Sequence, residues 1–310
     1  MAKTLGKRQN NIYRWFSKKI ERSNSCCLYC GHPVDEQSNM EHVIGRNFVP
    51  KNSFAAEDFN FIFRACINCN REKSRDEGHV SGITILSSPA RAESTIADEA
   101  AVRKAANEYH PDKPGTLLGD SCETRDVTMK IAAGLDISFG FTAPPQIKLE
   151  FAQRLAQRHI QALYSLVTTV DLRKPNFLST DRICIFKYFP VNDWGHPQLK
   201  EIAHRVQRDE SLAQHVSVQT ASGFFKVVMK RSNSDQWFWA IEWNKNLRVT
   251  GCIVGIDGAK PKYFEDLPAI KWQSTPARDL RYRQEVPFEN DYQLFDRRCF
   301  LKGVDEQPLS

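Results

Sequence analysis

The chain has 310 residues, of which 41% are hydrophobic and 26% are charged, and its formal net charge is +6. That length is sufficient for two domains with hydrophobic cores, and the mildly basic balance permits nucleic-acid binding without requiring it. No run of eighteen apolar residues and no apolar signal core are present, so we expect a cytoplasmic protein with no membrane partner.

The first 25 residues form a basic arm in which aromatic side chains alternate with cations. Because the arm leads directly into a cysteine pair, it is placed to neutralise backbone phosphates with salt-sensitive, sequence-indifferent affinity. A solvated N-terminal helix whose rings dock on the protein is the alternative interpretation. The nucleic-acid contacts predicted in this arm are Lys7, Arg8, Arg14, Lys18 and Lys19.

Two Cys-x-x-Cys pairs follow, Cys27 with Cys30 and Cys66 with Cys69. Each pair turns two sulfur atoms toward one point, and four thiolates make the closed tetrahedral shell of a structural Zn²⁺ site. Cys26 also lies close enough in sequence to pair with Cys30, although the two-residue spacing favours Cys27. The nine cysteines, an odd number, fit a reducing compartment better than a disulfide framework.

Polar groups suited to phosphodiester chemistry lie between and just after these pairs. Glu41 and His42 are adjacent, so an extended strand directs their side chains to opposite faces. Asn60 precedes a short apolar strand at 61–63, and Asn70 begins a polar stretch, 70–77, that suits an exposed helix. The predicted order is strand, loop, strand, helix.

A family resemblance covers about residues 26–75. This stretch resembles the HNH endonucleases, in the subtype whose ββα-metal finger is clamped by two zinc-binding CxxC knuckles. The residues that carry the resemblance are Cys27-Leu-Tyr-Cys30-Gly31, Glu41-His42-Val43-Ile44, Asn60, and Cys66-Ile-Asn-Cys69-Asn70-Arg-Glu-Lys73. No single element of this set is specific, but their order is.

The resemblance implies a role for each matching position. His42 falls on the histidine that activates the attacking water, and Asn60 on the asparagine that braces the hairpin loop. Glu41 and Asn70 fall on the two ligands of the catalytic metal, which makes the chain an H-N-N variant. Arg46 and Lys73, close to these positions, complete the predicted nucleic-acid contacts.

The same roles agree with the chemistry of phosphodiester hydrolysis. The reaction needs a deprotonated water in line with the leaving 3′ oxygen, and an imidazole of pKa about 6.5 is well suited to take its proton at neutral pH. Oxygen ligands from Glu41 and Asn70 suit Mg²⁺ or Mn²⁺ and leave coordination positions for water and phosphate. The expected products carry 5′-phosphate and 3′-hydroxyl ends.

Beyond the finger, periodicity and β propensity predict helices followed by strands. Helices are predicted at 93–109, 147–170 and 199–214, and a loop at 111–121. Strands are predicted at 183–189, 224–230, 237–243 and 247–256, with a hairpin turn at 244–246. The aromatic stripe on the third of these strands is interpreted as sheet core, and Arg154 and Arg158 as part of a solvated helix face.

The predicted fold class is therefore α+β. A basic N-terminal arm occupies 1–25, a zinc-clamped ββα-metal (HNH) domain 26–88, a mainly helical region 89–175, and a mixed helical and antiparallel-β domain 176–310. We recognise no family for residues 90–310. We expect that region to supply target choice or regulation.

The sequence thus predicts a metal-dependent DNA endonuclease of HNH type. Restriction, homing and abortive-infection roles in a bacterial or phage defence system are all compatible with it. Two alternatives from other classes stay open: a zinc-clamped nucleic-acid-binding or partner-binding module without catalysis, and an effector that is silent until its C-terminal region engages a partner protein such as an ATPase.

Overall fold

The computed structural model describes most of the chain from residue 19 onward. The described residues are 19–110, 113–132, 135–143, 145–171, 174–191, 195–255, 258–259, 261–274, 281–283, 294–295 and 300–301. Four of the predicted nucleic-acid contacts, Lys7, Arg8, Arg14 and Lys18, lie outside these residues. No helix in the described part is both long enough and apolar enough to cross a membrane.

The described residues form a mixed α+β structure, as predicted. Its α-helices are α1 (Ile67–Leu86), α2 (Thr95–Asn107), α3 (Leu149–Thr168) and α4 (Pro197–Arg208). Its strands are β1 (Lys19–Glu21), β2 (Asn39–His42), β3 (Asn60–Ala65), β4 (Glu123–Ala132), β5 (Leu135–Ala143), β6 (Ile183–Pro190), β7 (Ala213–Thr220), β8 (Phe225–Arg231), β9 (Trp237–Trp243), β10 (Leu247–Ile253), β11 (Trp272–Ser274), β12 (Arg281–Arg283) and β13 (Phe300–Leu301).

The N-terminal part is a small three-stranded sheet followed by a long helix. Its strand order is β1-β3-β2, with β1 parallel and β2 antiparallel to β3. Glu41 lies opposite Phe63 and His42 opposite Ile62 in this register. Helix α1 begins directly after β3, so the chain runs strand, strand, helix in the order predicted from its motifs.

The C-terminal part is a six-stranded sheet in the order β13-β7-β8-β9-β10-β6, antiparallel throughout. Strands β6, β8, β9 and β10 lie within three residues of their predicted bounds. The tryptophans of β9 are fully buried, which confirms that the aromatic stripe is core. At roughly 25 cal/mol per Å² and roughly 150–250 Å² per ring, each stabilises the fold by up to about 4–6 kcal/mol.

One hydrophobic cluster runs through both parts of the molecule. It contains residues of the small sheet and its loops, of α3 and of the six-stranded sheet, among them Phe48, Leu155 and Trp243. The rings of Phe48 and Trp243 meet edge to face, with centroids 6.1 Å apart. The ββα segment therefore shares its core with the C-terminal sheet.

Three features differ from the sequence-based expectations. The region 89–175, predicted as mainly helical, contains the β4–β5 hairpin between α2 and α3. The helix predicted at 199–214 ends at Arg208, and β7 begins five residues later. Helix α1 extends well beyond the predicted 70–77, to Leu86, and within that predicted stretch Lys73, Asp76 and Glu77 are buried rather than exposed.

The prediction that Arg154 and Arg158 lie on a solvated face of α3 is also wrong. Two guanidinium nitrogens of Arg154 contact Asp76, with Nη2 2.7 Å from Oδ1 and Nε 3.1 Å from Oδ2, and Asp76 is fully buried. Arg158 pairs with Glu72 and with Asp76. Because both carboxylates belong to α1, these arginines bind α3 to the helix of the finger.

Candidate metal centre and catalytic cleft

Four cysteine sulfurs converge at one end of the ββα segment. The Sγ atoms of Cys27, Cys30, Cys66 and Cys69 all lie within 4.8 Å of one another, and the Sγ atoms of Cys30 and Cys66 are 3.7 Å apart. A tetrahedral zinc with Zn–S bonds of about 2.3 Å places its sulfurs roughly 3.8 Å apart. The four cysteines therefore fit a zinc-sized ion, and Cys27 rather than Cys26 belongs to the group.

Local backbone geometry explains why the sulfurs converge. The amide of Gly31 donates to the Cys27 carbonyl at 2.8 Å, and the Cys27 amide to the His32 carbonyl at 2.7 Å, which closes a tight turn around the first pair. Gly31 has a φ of +74°, a conformation that favours glycine. The second pair lies at the start of α1, where the Asn70 amide donates to the Cys66 carbonyl at 3.0 Å.

Sulfur–sulfur contacts shift the thiol pKa values within the cluster. A hydrogen bond with Cys69 outweighs burial and lowers the pKa of Cys27 to about 4. Burial raises the pKa of Cys30 to about 11. The Cys27 sulfur is therefore the more thiolate-like of the first pair.

Glu41 points from β2 toward α1 into a buried ion triad. Its Oε1 lies 2.6 Å from Nζ of Lys73, and the same Nζ lies 2.7 Å from Oε1 of Glu77. The ammonium also donates to the carbonyl of His42 at 2.9 Å. Burial lowers the pKa of Lys73, but Glu77 and Glu41 outweigh this effect, so its pKa lies above the usual value and Lys73 stays charged.

Glu77 extends this triad to the loop after β2. Its Oε1 accepts a hydrogen bond from the Gly45 amide at 2.9 Å. A Cβ atom at position 45 would overlap the Glu77 carboxylate, so this close approach requires glycine. Lys73 and Glu77 together fix the backbone on both sides of Val43 and Ile44.

His42 points to the opposite side from Glu41, as expected for neighbours on a strand. It is half-buried and lines a cleft of about 930 Å³ together with Lys19 and Arg46. Burial lowers the pKa of His42, and the charges of Arg46, Lys73 and Lys19 lower it further. The imidazole is therefore neutral at pH 7, the state in which it accepts a proton.

Asn60 joins the start of β3 to the loop that follows β2. Its Oδ1 accepts from the Ile44 amide at 3.2 Å and its Nδ2 donates to the Ile44 carbonyl at 2.8 Å. Asn60 is buried, so both hydrogen bonds are protected from water. These two hydrogen bonds fix the start of β3 against the loop after β2.

The predicted cation ligands, Glu41 and Asn70, do not form a ready site for Mg²⁺ or Mn²⁺. Glu41 is only 5% exposed, and its carboxylate charge is already matched by the Lys73 ammonium. Asn70 lies half-buried in the first turn of α1. A divalent cation at Glu41 would have to displace the Lys73 ammonium or share the carboxylate with it. The expectation was a carboxylate free to bind the cation together with Asn70.

Within the described residues, the predicted nucleic-acid contacts divide into two groups. Lys19 and Arg46 are exposed and line the same cleft as His42. Lys73 is 1% exposed and is surrounded by its partners, so the prediction that it contacts nucleic acid is wrong. The physical reason is that its spacing from Asn70 directs it inward toward β2 rather than outward from the helix.

The loop between β2 and β3 forms the floor of the cleft, and the C-terminal sheet holds this loop in place. The hydroxyl of Thr220 donates to the Phe59 carbonyl at 2.9 Å, and the Ala221 amide to Oδ2 of Asp58 at 2.9 Å. Nδ2 of Asn244 donates to the Phe48 carbonyl at 3.1 Å. The β7–β8 and β9–β10 turns therefore shape the surface next to His42.

Two groups of site residues escaped the sequence analysis. Glu77 lies four residues after Lys73, a spacing that indicates an ion pair on a helix. The Lys73–Glu77 part of the triad could therefore have been predicted from the sequence. Arg103 and Lys104 line the cleft from α2. No sequence pattern indicated them, since α2 reads as an ordinary alanine-rich helix.

Comparisons with known proteins add no family assignment to this geometry. A scan against family models found no match, and searches of curated proteins and of solved structures found no significantly similar chain.

Proposed function

We propose that the chain is a DNA endonuclease of the HNH type, with His42 as the general base. The observation that carries this proposal is the position of His42: a neutral imidazole at the edge of a cation-lined cleft, on a ββα segment that ends in a four-cysteine cluster. The zinc held by these cysteines has a structural role, since four sulfurs leave no open position for substrate.

The chain's own residues account for two parts of the hydrolysis. Neutral His42 takes a proton from a water as its oxygen bonds to phosphorus and the bond to the 3′ oxygen breaks, which leaves a 5′-phosphate and, after protonation from solvent, a 3′-hydroxyl. Arg46 and Lys19 are placed to neutralise the phosphate charge. The resemblance also implies Mg²⁺ or Mn²⁺, which in such sites stabilises phosphate charge and lowers the pKa of bound water.

A plasmid-cleavage assay tests the proposal. Wild-type protein should nick supercoiled plasmid in Mg²⁺ or Mn²⁺ and not in EDTA, with zinc content measured in parallel to exclude loss of the structural ion. His42→Ala should abolish nicking while zinc content and DNA binding stay near wild type. His204→Ala, on α4, is the matched control because His204 is not among the residues lining the cleft.

Three results bear on the details of the reaction. Products that a ligase reseals carry the expected 5′-phosphate and 3′-hydroxyl ends. Nicking by His42→Ala at the wild-type rate would remove His42 as the base. Nicking that is unaffected by EDTA would agree instead with the pairing of Glu41 with Lys73, and it would show that the reaction needs no divalent cation.

A binding module without catalysis is the second candidate, and the Lys73–Glu41 ion pair favours it. The Glu41 carboxylate is already paired with the buried Lys73 ammonium, so binding a divalent cation there would require breaking this ion pair. In that case purified wild-type protein binds DNA without nicking it, and His42→Ala leaves both binding and biological effect intact. Activation by a partner protein such as an ATPase stays a prediction, distinguished by nicking that begins only when the partner is added.

A further inference from the structure

The cleft beside His42 has a second wall that lies outside the ββα segment. Three segments surround its volume of about 930 Å³: the ends of β1 and β2 with Lys19 and His42, the 46–58 loop, and the C-terminal turn of α2 with Arg103 and Asn107. A ββα segment alone offers an open surface. Here α2 and the loop convert that surface into a pocket.

The charge of this pocket suits a polyanion. Lys19, Arg46, Lys51 and Arg103 are exposed at its rim and form no ion pair within the described residues. Both acidic residues of its lining already have partners. Glu108 pairs with Lys104 at 2.6 Å. Asp58 accepts hydrogen bonds from two backbone amides through its Oδ2.

The base of the pocket is apolar and contains one aromatic ring. Val49 and Pro50 are buried there, and Phe54 lines the cleft while being half-buried against the main hydrophobic cluster. Exposed amide side chains from Asn47 and Asn52 stand beside them. An aromatic face next to amide donors and acceptors is suited to stacking on a nucleobase and to hydrogen bonding with its edge.

The size of the pocket and the position of this ring indicate the form of the ligand. A volume of about 930 Å³ lies at the upper end of the roughly 300–1,000 Å³ typical of small-molecule pockets. A base inside an intact duplex has both faces covered by its neighbours, so it cannot stack on Phe54 until it leaves the helix. We propose that this pocket binds an unpaired nucleotide, with its phosphates on the rim cations next to His42.

This inference rests on the proposed function for the identity of the ligand as DNA. It adds that the substrate is a single-stranded, flapped or base-flipped region rather than undisturbed duplex. It also assigns Phe54 to base binding and Arg103, on α2, to phosphate binding.

Fluorescence anisotropy without added Mg²⁺ or Mn²⁺ tests the inference in the full-length protein. Three labelled probes of about 12 nucleotides share one sequence: a single strand, a perfect duplex, and a duplex with one central unpaired nucleotide. We expect the single strand and the interrupted duplex to bind at least about 10-fold more tightly than the perfect duplex. Because no cleavage is needed, a protein that does not nick plasmid still gives an answer here.

Variants at the two assigned positions separate stacking from charge. Phe54→Ala should weaken single-strand binding by about 10-fold, and Trp272→Ala, an exposed aromatic outside the cleft, should leave it unchanged. Arg103→Ala should lower the salt dependence of log K by about 0.7, with exposed Arg208→Ala as its control. Arg103 lies on the surface of α2, so its variant keeps the test valid if Phe54→Ala does not fold.

The outcomes distinguish the two proposals. Binding of unpaired DNA that depends on Arg103 and Phe54, without plasmid nicking, upholds the pocket and removes the nuclease activity. Equal affinity for the perfect duplex and the single strand overturns the pocket, whatever the nicking assay shows. Wild-type affinity and salt dependence in both variants overturn it as well. A protein that binds no probe also overturns the pocket, and the plasmid assay alone then decides the nuclease proposal.

Discussion

Replacing Lys73 with methionine is the most direct test of how the finger is held together. The side chain is 1% exposed, and its ammonium lies 2.6 Å from Glu41 and 2.7 Å from Glu77. Methionine keeps most of the volume and removes the charge, so two buried carboxylates lose their counter-ion. Breaking a buried pair in this way costs about 3–5 kcal/mol. That is a large part of the roughly 5–15 kcal/mol that stabilises a typical domain.

The loss of stability in Lys73→Met should depend on pH. Burial already raises the pKa of Glu41 above its ordinary value, and Lys73 opposes that rise. Without Lys73 the folded-state pKa rises further. A carboxyl whose folded pKa exceeds its unfolded pKa stabilises the fold most at low pH and loses that contribution as pH rises through the folded value. The deficit should therefore be smaller near about pH 5 than near about pH 8.

Urea unfolding followed by tryptophan fluorescence measures this effect, since the β9 tryptophans are buried. Exposed Lys262→Met is the control and should change the free energy of unfolding by less than about 0.5 kcal/mol. Adding Glu41→Gln and Glu77→Gln to Lys73→Met should restore at least about 1 kcal/mol, because no unpaired charge then remains. A loss below about 1 kcal/mol at both pH values would refute the triad as a stabilising unit.

Three further predictions concern the metal cluster, the base and the cleft loop. Cys69→Ser should lose bound zinc by elemental analysis and most soluble protein, whereas full zinc content would remove Cys69 from the ligand set. Plasmid nicking should rise with pH through the lowered pKa of His42 and then level off; Arg46→Ala should move this rise to higher pH, and an unmoved profile would contradict the charge effect. Ser222→Gly should relieve the strain of a φ of +53° but remove a hydrogen bond to the cleft loop, so that stability changes by less than about 1 kcal/mol while DNA affinity falls. Asp266→Gly relieves similar strain away from the cleft and should leave affinity unchanged.

Much of the fold and part of the candidate site could be predicted from the spacing of residues that are close together in the sequence. The two CxxC pairs specify their own convergence, because each turn geometry is encoded within four residues. Adjacent positions on a strand specify that Glu41 and His42 face opposite sides. The β9 stripe specifies a sheet core because large rings at alternate positions require burial on one face. Each of these inferences depends on contacts between near neighbours in the chain.

The errors arise where a distant partner decides the outcome. Lys73 looked like a surface cation, but two carboxylates, one of them 32 residues earlier on β2, make its burial favourable. Arg154 and Arg158 looked solvated because their partner, Asp76, lies on another helix. The cleft wall from α2 had no local signal, since it depends on how α2 packs beside the loop. Such contacts follow from tertiary packing, which a single sequence does not display.

The position of the C-terminal sheet changes how target choice should be understood. The expectation was a separate region that directs a self-sufficient finger to its target. Instead, the β7–β8 turn places Ala221, Ser222 and Gly223 in succession at positive φ and uses that turn to hold the 53–58 part of the cleft loop. Two of these three, Ala221 and Ser222, are non-glycine residues, and such strain persists only where surrounding contacts fix it. The sheet therefore helps to shape the cleft itself. If the cleft binds DNA as proposed, changes in these turns should alter which strand conformations it accepts, even though none of the turn residues lines the cleft.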